Sequence, residues 1–443
     1  MTSSPARRAA LRILKRVEKE GAFASSLLAS LSETMRDDDR ALCHELVLGV
    51  LRQQLWLDYA LAHFANRRIE TLDLEVKLAL RLGLYQLRFL SRIPPSAAVD
   101  ESVKLVRQAR LKSAVSFVNA VLRRATREPD YDPATRAVDP LEKLAIETSH
   151  PPWLIERWVN SFGLDESTAL ARANNEPAPM SFRLTARTTR ENKQQRVIQE
   201  LETSGARVEP SRLTPNSWRV TGDSKLLRKL AHSGLIYFQD EASQLVAHLL
   251  AAQPNERVLD VCAAPGGKTT LFCSMAPQAM MVAGDLHEHR LRTLRDLAIL
   301  QGCESIHLLA YDGTRGLPFA DASFDRALVD APCSGTGTLR HNPEIRWRIK
   351  PDDIARLSSM QKQILTNAAF KVRVGGLLLY STCSVERDEN EIVIEEFLKN
   401  HSAFDQVPLD ASAGLLLENG AIRTWPHRQD VDGFFIAALR RTV

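Results

Sequence analysis

Aromatic residues make up only 6% of this 443-residue chain, and its six cysteines, at positions 43, 262, 273, 303, 333 and 383, are scattered and form no CxxC pair. That spacing argues against a disulfide framework and against a zinc site. No apolar run approaches the ~18 residues of a membrane span. The opening MTSSPARRAALRILKRV also lacks the apolar block of a signal peptide. The reading is a cytoplasmic protein with no membrane segment. With 44% hydrophobic and 25% charged residues, the composition is that of a soluble globular protein and gives no reason to expect disorder. The length suits two or three domains, each with its own core.

The net charge of +4 is mild but unevenly spread. Residues 1–135 carry 22 Lys and Arg against 16 Asp and Glu, an excess of +6, and residues 136–235 carry 15 against 12, an excess of +3. Residues 236–443 carry 21 against 26, a deficit of 5. A basic front on an acidic back is the pattern of a module that holds a polyanion joined to one that acts on it, although solvated helix faces would look similar.

Apolar residues at helical spacing, such as Ala10, Ile13, Leu14 and Val17, then Leu74, Leu78, Leu82 and Tyr85, predict an all-α domain over 1–135. Arg and Lys fall between them. Pro and Gly punctuation in EPDYDP, SHPPW and NNEPAP marks a helical connector over 136–175. Strand-like SFRLTA, a helical RENKQQRVIQELETSG, then ARVEP and SWRVTG predict a small α+β unit over 176–235. Thereafter RVLDVC, MMVAGD, SIHLLA, FDRALVD and GGLLLYSTC read as buried parallel strands alternating with helices near 268–276, 288–301 and 353–372. That is a doubly wound, Rossmann-like α/β domain, whose ligands lie beyond the carboxyl ends of its strands.

Those strand ends carry the chemistry. The first runs into Asp260-Val261-Cys262-Ala263-Ala264-Pro265-Gly266-Gly267-Lys268-Thr269, where small residues and a helix start let the backbone approach a nucleotide-like cofactor. The GGKT ending is shared with phosphate-binding GxxxxGK[ST] loops, but that motif needs glycine where Cys262 stands, so an ATPase reading fails on spacing. Asp285 ends the second strand 19 residues after Gly266, near the offset at which a carboxylate meets a ribose hydroxyl, although a helix-capping aspartate would occupy the same place. Asp312 follows the third strand, placed to reach an adenine. Asp330-Ala331-Pro332-Cys333-Ser334-Gly335-Thr336-Gly337 follows the fourth, a stiff loop suited to a substrate lip. Tyr380-Ser381-Thr382-Cys383-Ser384 follows the fifth. One cysteine here would be read as a core filler, but two at one sheet edge beside a cofactor loop point to covalent catalysis. A thiolate adding to carbon 6 of a cytosine makes carbon 5 nucleophilic, and Lys268 with nearby helix N-termini could lower a thiol below its free pKa of ~8.5. The residues alone do not rank the two cysteines.

AAPGGKT, DAPCSGTG and YSTCS, in this order, resemble the RNA cytosine-5 methyltransferase family, and the likeness runs over 236–443, from FQDEASQLVAHLL to RTWPHRQDVDGFFIAALRR. The front end, with ARRAALRILKRVEKEGAFASSLL, resembles the NusB RNA-binding domain that precedes the catalytic domain in a ribosomal RNA branch of that family. The resemblance implies S-adenosyl-L-methionine as cofactor, lying against Cys262 to Lys268, Asp285, Asp312 and Asp330, with Asp330 also touching the target base. It implies Cys383 as nucleophile and Cys333 as the thiol that aids product release. The expected substrate is one cytosine in 16S ribosomal RNA, unstacked in the cleft, and the expected protein is a monomer that needs no metal. A transfer RNA cytosine-5 methyltransferase shares the chemistry, and a non-catalytic antitermination factor shares the front end.

Overall fold

The structure, a computed structural model, describes residues 3–31, 35–222, 224–411 and 413–443. The chain divides into two compact units, residues 1–177 with 339–348, and residues 178–338 with 349–443.

The first unit is helical. Its main helices are Pro5–Glu20, Asp37–Arg52, Gln54–Ala65, Leu74–Phe89, Pro95–Gln108 and Val115–Arg127, followed by Pro140–Thr148, Pro152–Phe162 and Leu164–Ala173. The segment 136–175 thus consists largely of helices packed within this unit. Four of the helices begin on proline, whose missing N–H costs nothing in a first turn. Asp139 caps Pro140–Thr148 by accepting from Glu142 N at 2.8 Å. The apolar stripes at 10, 13, 14 and 17 and at 78, 82 and 85 are buried in one core. A ten-residue excursion, 339–348, completes this unit. Its Arg346 is fully buried and donates to Ser149 O at 3.1 Å, Asn174 O at 3.1 Å and Asn175 Oδ1 at 2.9 Å. Trp347 Nε1 donates to Leu51 O at 2.7 Å, and Arg348 Nη2 to Val17 O at 3.1 Å.

In the second unit, β1 (Ser181–Leu184), β2 (Arg207–Pro210), β3 (Ser217–Thr221) and β4 (Ile236–Phe238) form a four-stranded sheet in the order β2-β3-β1-β4. All its pairings are antiparallel. Strand β4 pairs with β1, so this sheet runs three residues past 235. The larger sheet comprises β5 (Arg257–Asp260), β6 (Met280–Asp285), β7 (Ile306–Ala310), β8 (Phe324–Asp330), β9 (Val372–Thr382), β10 (Phe404–Val407), β11 (Ile422–Arg423) and β12 (Phe435–Arg441). Its order is β10-β12-β9-β8-β5-β6-β7, with β11 paired to β12. Strands β5 to β9 are parallel, and β12 lies antiparallel between β9 and β10. Runs such as Ala327-Leu328-Val329 and Leu378-Leu379-Tyr380 are wholly buried, as strands covered on both faces must be. The helices Gly267–Met275, Glu288–Gln301 and Pro351–Ala369 stand at the predicted places, and β5, β6, β8 and β9 end at Asp260, Asp285, Asp330 and Thr382.

Candidate active site

From β5 the chain turns through Cys262, Ala263, Ala264 and a cis-bonded Pro265 into the helix at Gly267. Gly266 makes that turn at φ +108°, and a Cβ there would sit 2.7 Å from Leu294 Cγ. Both the conformation and the contact call for glycine. Asp260 is buried: Thr269 Oγ1 donates to its Oδ2 at 2.7 Å, while its Oδ1 has no partner. Burial pushes this carboxyl up to about 7. Cys262 is half-buried, and burial followed by the carboxylates of Asp260, Asp330 and Asp285 pushes its thiol well up. It is therefore a lining residue of this pocket, protonated and inert.

Asp285 is also buried, accepting from His287 N at 3.0 Å and facing Arg290 Nη1 at 3.2 Å. Arg290 also donates to Ala264 O at 2.6 Å, which ties the first loop to the second strand end. Asp312 receives Thr314 N at 2.9 Å and Thr314 Oγ1 at 2.6 Å, bonds that hold its carboxyl below the usual range and commit one oxygen to its own turn. Tyr237, Gln239, Asp260, residues 262–265, Lys268 and Asp330 line a cavity of about 140 Å³. Two carboxylates line it, Asp260 and Asp330, the first with an orphaned oxygen, and they match a ligand that carries a sulfonium and an ammonium charge; Asp285 and Asp312 stand at the neighbouring strand ends, outside this lining. This donor set fits S-adenosyl-L-methionine.

Asp330 ends β8 and is held from both sides, by Lys268 Nζ at 2.7 Å and by Ser381 Oγ of β9 at 2.8 Å. Burial alone would depress the Lys268 ammonium; Asp330 more than offsets it, so the raised pKa keeps Lys268 charged. That ammonium lies 5.1 Å from the centre of the Phe434 ring and is close enough to Cys383 to interact with its charge. Cys333 Sγ and Cys383 Sγ stand 3.3 Å apart. The contact with Cys383, then burial, then Glu389 and Asp330 push the Cys333 thiol well up.

Several residues at this site carried no motif signal. From the smaller sheet, Arg183 is buried without a carboxylate, donating to Gly267 O at 3.0 Å, Thr270 Oγ1 at 2.9 Å and Gln301 Oε1 at 3.1 Å. Burial brings its pKa down to about 10. It braces the start of the cofactor-loop helix. Ser334 and Ser384 each follow a cysteine, and that repeated Cys-Ser pair is the one visible hint of the network that joins them.

Three family models match the chain: 16S rRNA methyltransferase RsmB/F over residues 247–440, the NusB family over 4–127, and the RsmF/B-like ferredoxin-like domain over 150–226. The probable ribosomal RNA small subunit methyltransferase B of Bacillus subtilis (strain 168) is 34% identical, over 100% of both chains. Ribosomal RNA small subunit methyltransferase B of Pseudomonas putida is 35% identical, over 98% of each. Among solved structures, that of PH0851 superposes with a TM-score of 0.84 at 27% identity, covering 99% of both chains. A methyltransferase homolog protein from Pyrococcus horikoshii gives 0.59 at 27% identity, covering 69% of this chain and 100% of that one. With full-length relatives above 30% identity and an S-adenosyl-L-methionine pocket at the strand ends, the chain belongs to the 16S rRNA methyltransferase RsmB/F family.

Proposed function

We propose that the protein methylates carbon 5 of one cytosine in 16S ribosomal RNA through a covalent bond between Cys383 and carbon 6 of the base. The observation that supports this reading is the thiol pair, 3.3 Å apart, with the Cys333 thiol pushed well up and the Lys268 ammonium, held by Asp330, on the Cys383 side. Bound S-adenosyl-L-methionine supplies an electrophilic methyl group. The Cys383 thiolate, stabilised by the Lys268 ammonium, adds to carbon 6 and pushes the electron pair onto carbon 5, which takes the methyl. Asp330, fixed by Lys268 and Ser381, is placed to receive a donor from the pyrimidine edge.

The carbon 5 proton must then leave, the ring double bond re-form and Cys383 depart as thiolate. The largest influence that keeps Cys333 protonated is its contact with Cys383. Once Cys383 is a thioether that influence is gone; Cys333 then releases its proton to solvent, and the resulting thiolate takes the carbon 5 proton. Roles for Cys262 to Lys268, Asp285 and Asp312 in holding the cofactor rest on their places around one sheet edge. The six cysteines are free, as they remain in a reducing cytoplasm, where we place the protein as a monomer. Bisulfite sequencing of 16S RNA tests the reading. One cytosine should lose its signal in a strain without the gene and regain it with the wild-type gene but not with Cys383→Ala; no lost site in 16S RNA would overturn the substrate.

Two further outcomes are expected. Asp285→Ala should weaken cofactor binding by about 1.5 to 3 kcal/mol, the worth of hydrogen bonds to a charged acceptor, with RNA affinity nearly unchanged. Calorimetry reads both, and an unaltered cofactor Kd would remove Asp285 from the pocket. RNA holding is assigned to the basic first unit. Deleting residues 1–135 would strand Trp347 and Arg348, so neutral replacement of exposed arginines is the cleaner test. Replacing Arg67, Arg68, Arg107, Arg110, Arg123 and Arg127 by Gln should flatten the salt dependence of rRNA binding, by about 0.7 to 0.9 in log–log slope for each phosphate no longer neutralised. An unchanged slope would place the RNA-holding surface elsewhere.

A further inference from the structure

Behind the two thiols lies a buried carboxylate that the chemistry above does not use. Glu389 sits in a short 3-10 turn after β9 and is fully buried. Its Oε1 accepts Ser334 N at 2.9 Å and Gln361 Nε2 at 2.9 Å, while its Oε2 accepts Ser384 Oγ at 2.5 Å and the Ser334 hydroxyl. Ser334 follows Cys333 and Ser384 follows Cys383, so one side chain grips both cysteine loops. Ser334 Oγ and Ser384 Oγ are themselves 3.0 Å apart, and Gln361 also donates to Pro332 O at 3.0 Å. Tyr380 OH donates to Glu389 O at 2.6 Å, which fixes the turn against β9. A buried carboxylate with this many donors is costly to assemble, and neutral residues could pack the same space.

We propose that Glu389 is a positioning residue of the methyl-transfer site, a buried carboxylate that clamps the Cys333 loop to the Cys383 loop and makes the two thiols inequivalent. It reaches the reaction only through its neighbours. The clamp sets the separation of the sulfurs, and its carboxyl, itself pushed up by burial and held down by the four bonds it accepts, is one of the groups that raise the Cys333 thiol. Among the described residues Asp330 and Tyr380 of β9 also interact with Cys333, and Lys268 with Cys383, and all three stay in place when Glu389 is neutralised. The inference deepens the covalent reading and rests on it for its role in turnover, but the inequivalence can be measured without RNA or cofactor.

Alkylation of the full-length protein by iodoacetamide, quantified at each cysteine by mass spectrometry across pH, is the test. In the wild-type protein Cys383 should be modified ahead of Cys333. In Glu389→Gln the Cys333 profile should move about one unit toward acid, about a ten-fold gain in its rate at fixed pH. Glu389→Asp keeps the charge but is too short to span both loops. It should leave the Cys333 profile near that of the wild type, lower kcat about ten-fold or more, and leave the KM for S-adenosyl-L-methionine unchanged. An unmoved Cys333 profile in Glu389→Gln, or full turnover in Glu389→Asp, would overturn the proposal. If Glu389→Gln does not fold, Ser384→Ala removes one bridge and leaves the charge; it must lower kcat with the Cys333 profile in place, and any other result counts against the clamp. Methylation that survived loss of both cysteines, together with a shifted Cys333 profile in Glu389→Gln, would remove the covalent route and leave the clamp standing.

Discussion

With Cys383 replaced by alanine, methylation should fall to background, by about 10⁴-fold or more, and no protein–RNA species should survive a denaturing gel. With Cys333 replaced by alanine the adduct should still form but fail to resolve, so a slowly migrating complex should accumulate that requires the cofactor. The difference in kind follows from the positions of the two thiols. They touch, yet that contact, burial and the carboxylates of Glu389 and Asp330 push the Cys333 thiol well up, while Cys383 lies on the side of the Lys268 ammonium, where an attacking thiolate would be stabilised. The double variant should show no complex, because trapping needs the nucleophile. Accumulation in Cys383→Ala but not in Cys333→Ala would reverse the assignment, and full turnover in both single variants would end the covalent mechanism.

The contrast between these cysteines also shows where reading from sequence stops. AAPGGKT, DAPCSGTG and YSTCS are legible because each is a continuous stretch at the end of a strand, and strand, loop and helix are local properties. Which strands are neighbours is not local. The five parallel strands were expected, but the insertion of β12 between β9 and β10 is decided by pairing across the sheet, such as Ala438 with Leu379 and with Val407. Glu389 was invisible for the same reason: its partner Ser334 is 55 residues away, and only the pairing of β8 with β9 brings them together. Arg183 lies 84 residues from Gly267, and a lone arginine in SFRL reads as an ordinary strand residue. The stretch 339–348 contains none of the motifs, and its place in the helical unit depends on partners as distant as Val17. The order of the two thiols depends on the charges around each, Lys268 near Cys383 and Glu389 near Cys333, which spacing does not report.

Lys268→Met should lower kcat by about 10²- to 10³-fold, the usual scale for removing a preorganised charge from an active site, and should also change the shape of the pH profile. In the intact protein Lys268 remains charged throughout the neutral range, so it does not titrate during turnover and acts as a fixed positive charge between Asp330 and Cys383. Removing it leaves Asp330 held only by Ser381 and places an uncompensated negative charge beside the thiol that must ionise. A thiolate forms less readily there, so the acid limb of the rate profile should move to higher pH and part of the activity should return as pH rises. Stability should fall as well, by up to about 3 kcal/mol, since the pair is mostly buried and one partner is lost. Lys268→Met with Asp330→Asn separates the causes: neutralising both members should recover the lost stability and return the acid limb toward the wild-type position. The recovery of kcat should be only partial if Asp330 meets the base as proposed, because an asparagine cannot reproduce that contact. Initial rates across pH and thermal melts of the four proteins decide it. A Lys268→Met enzyme with reduced stability but an unshifted profile would show that the lysine packs the site and does not supply its charge.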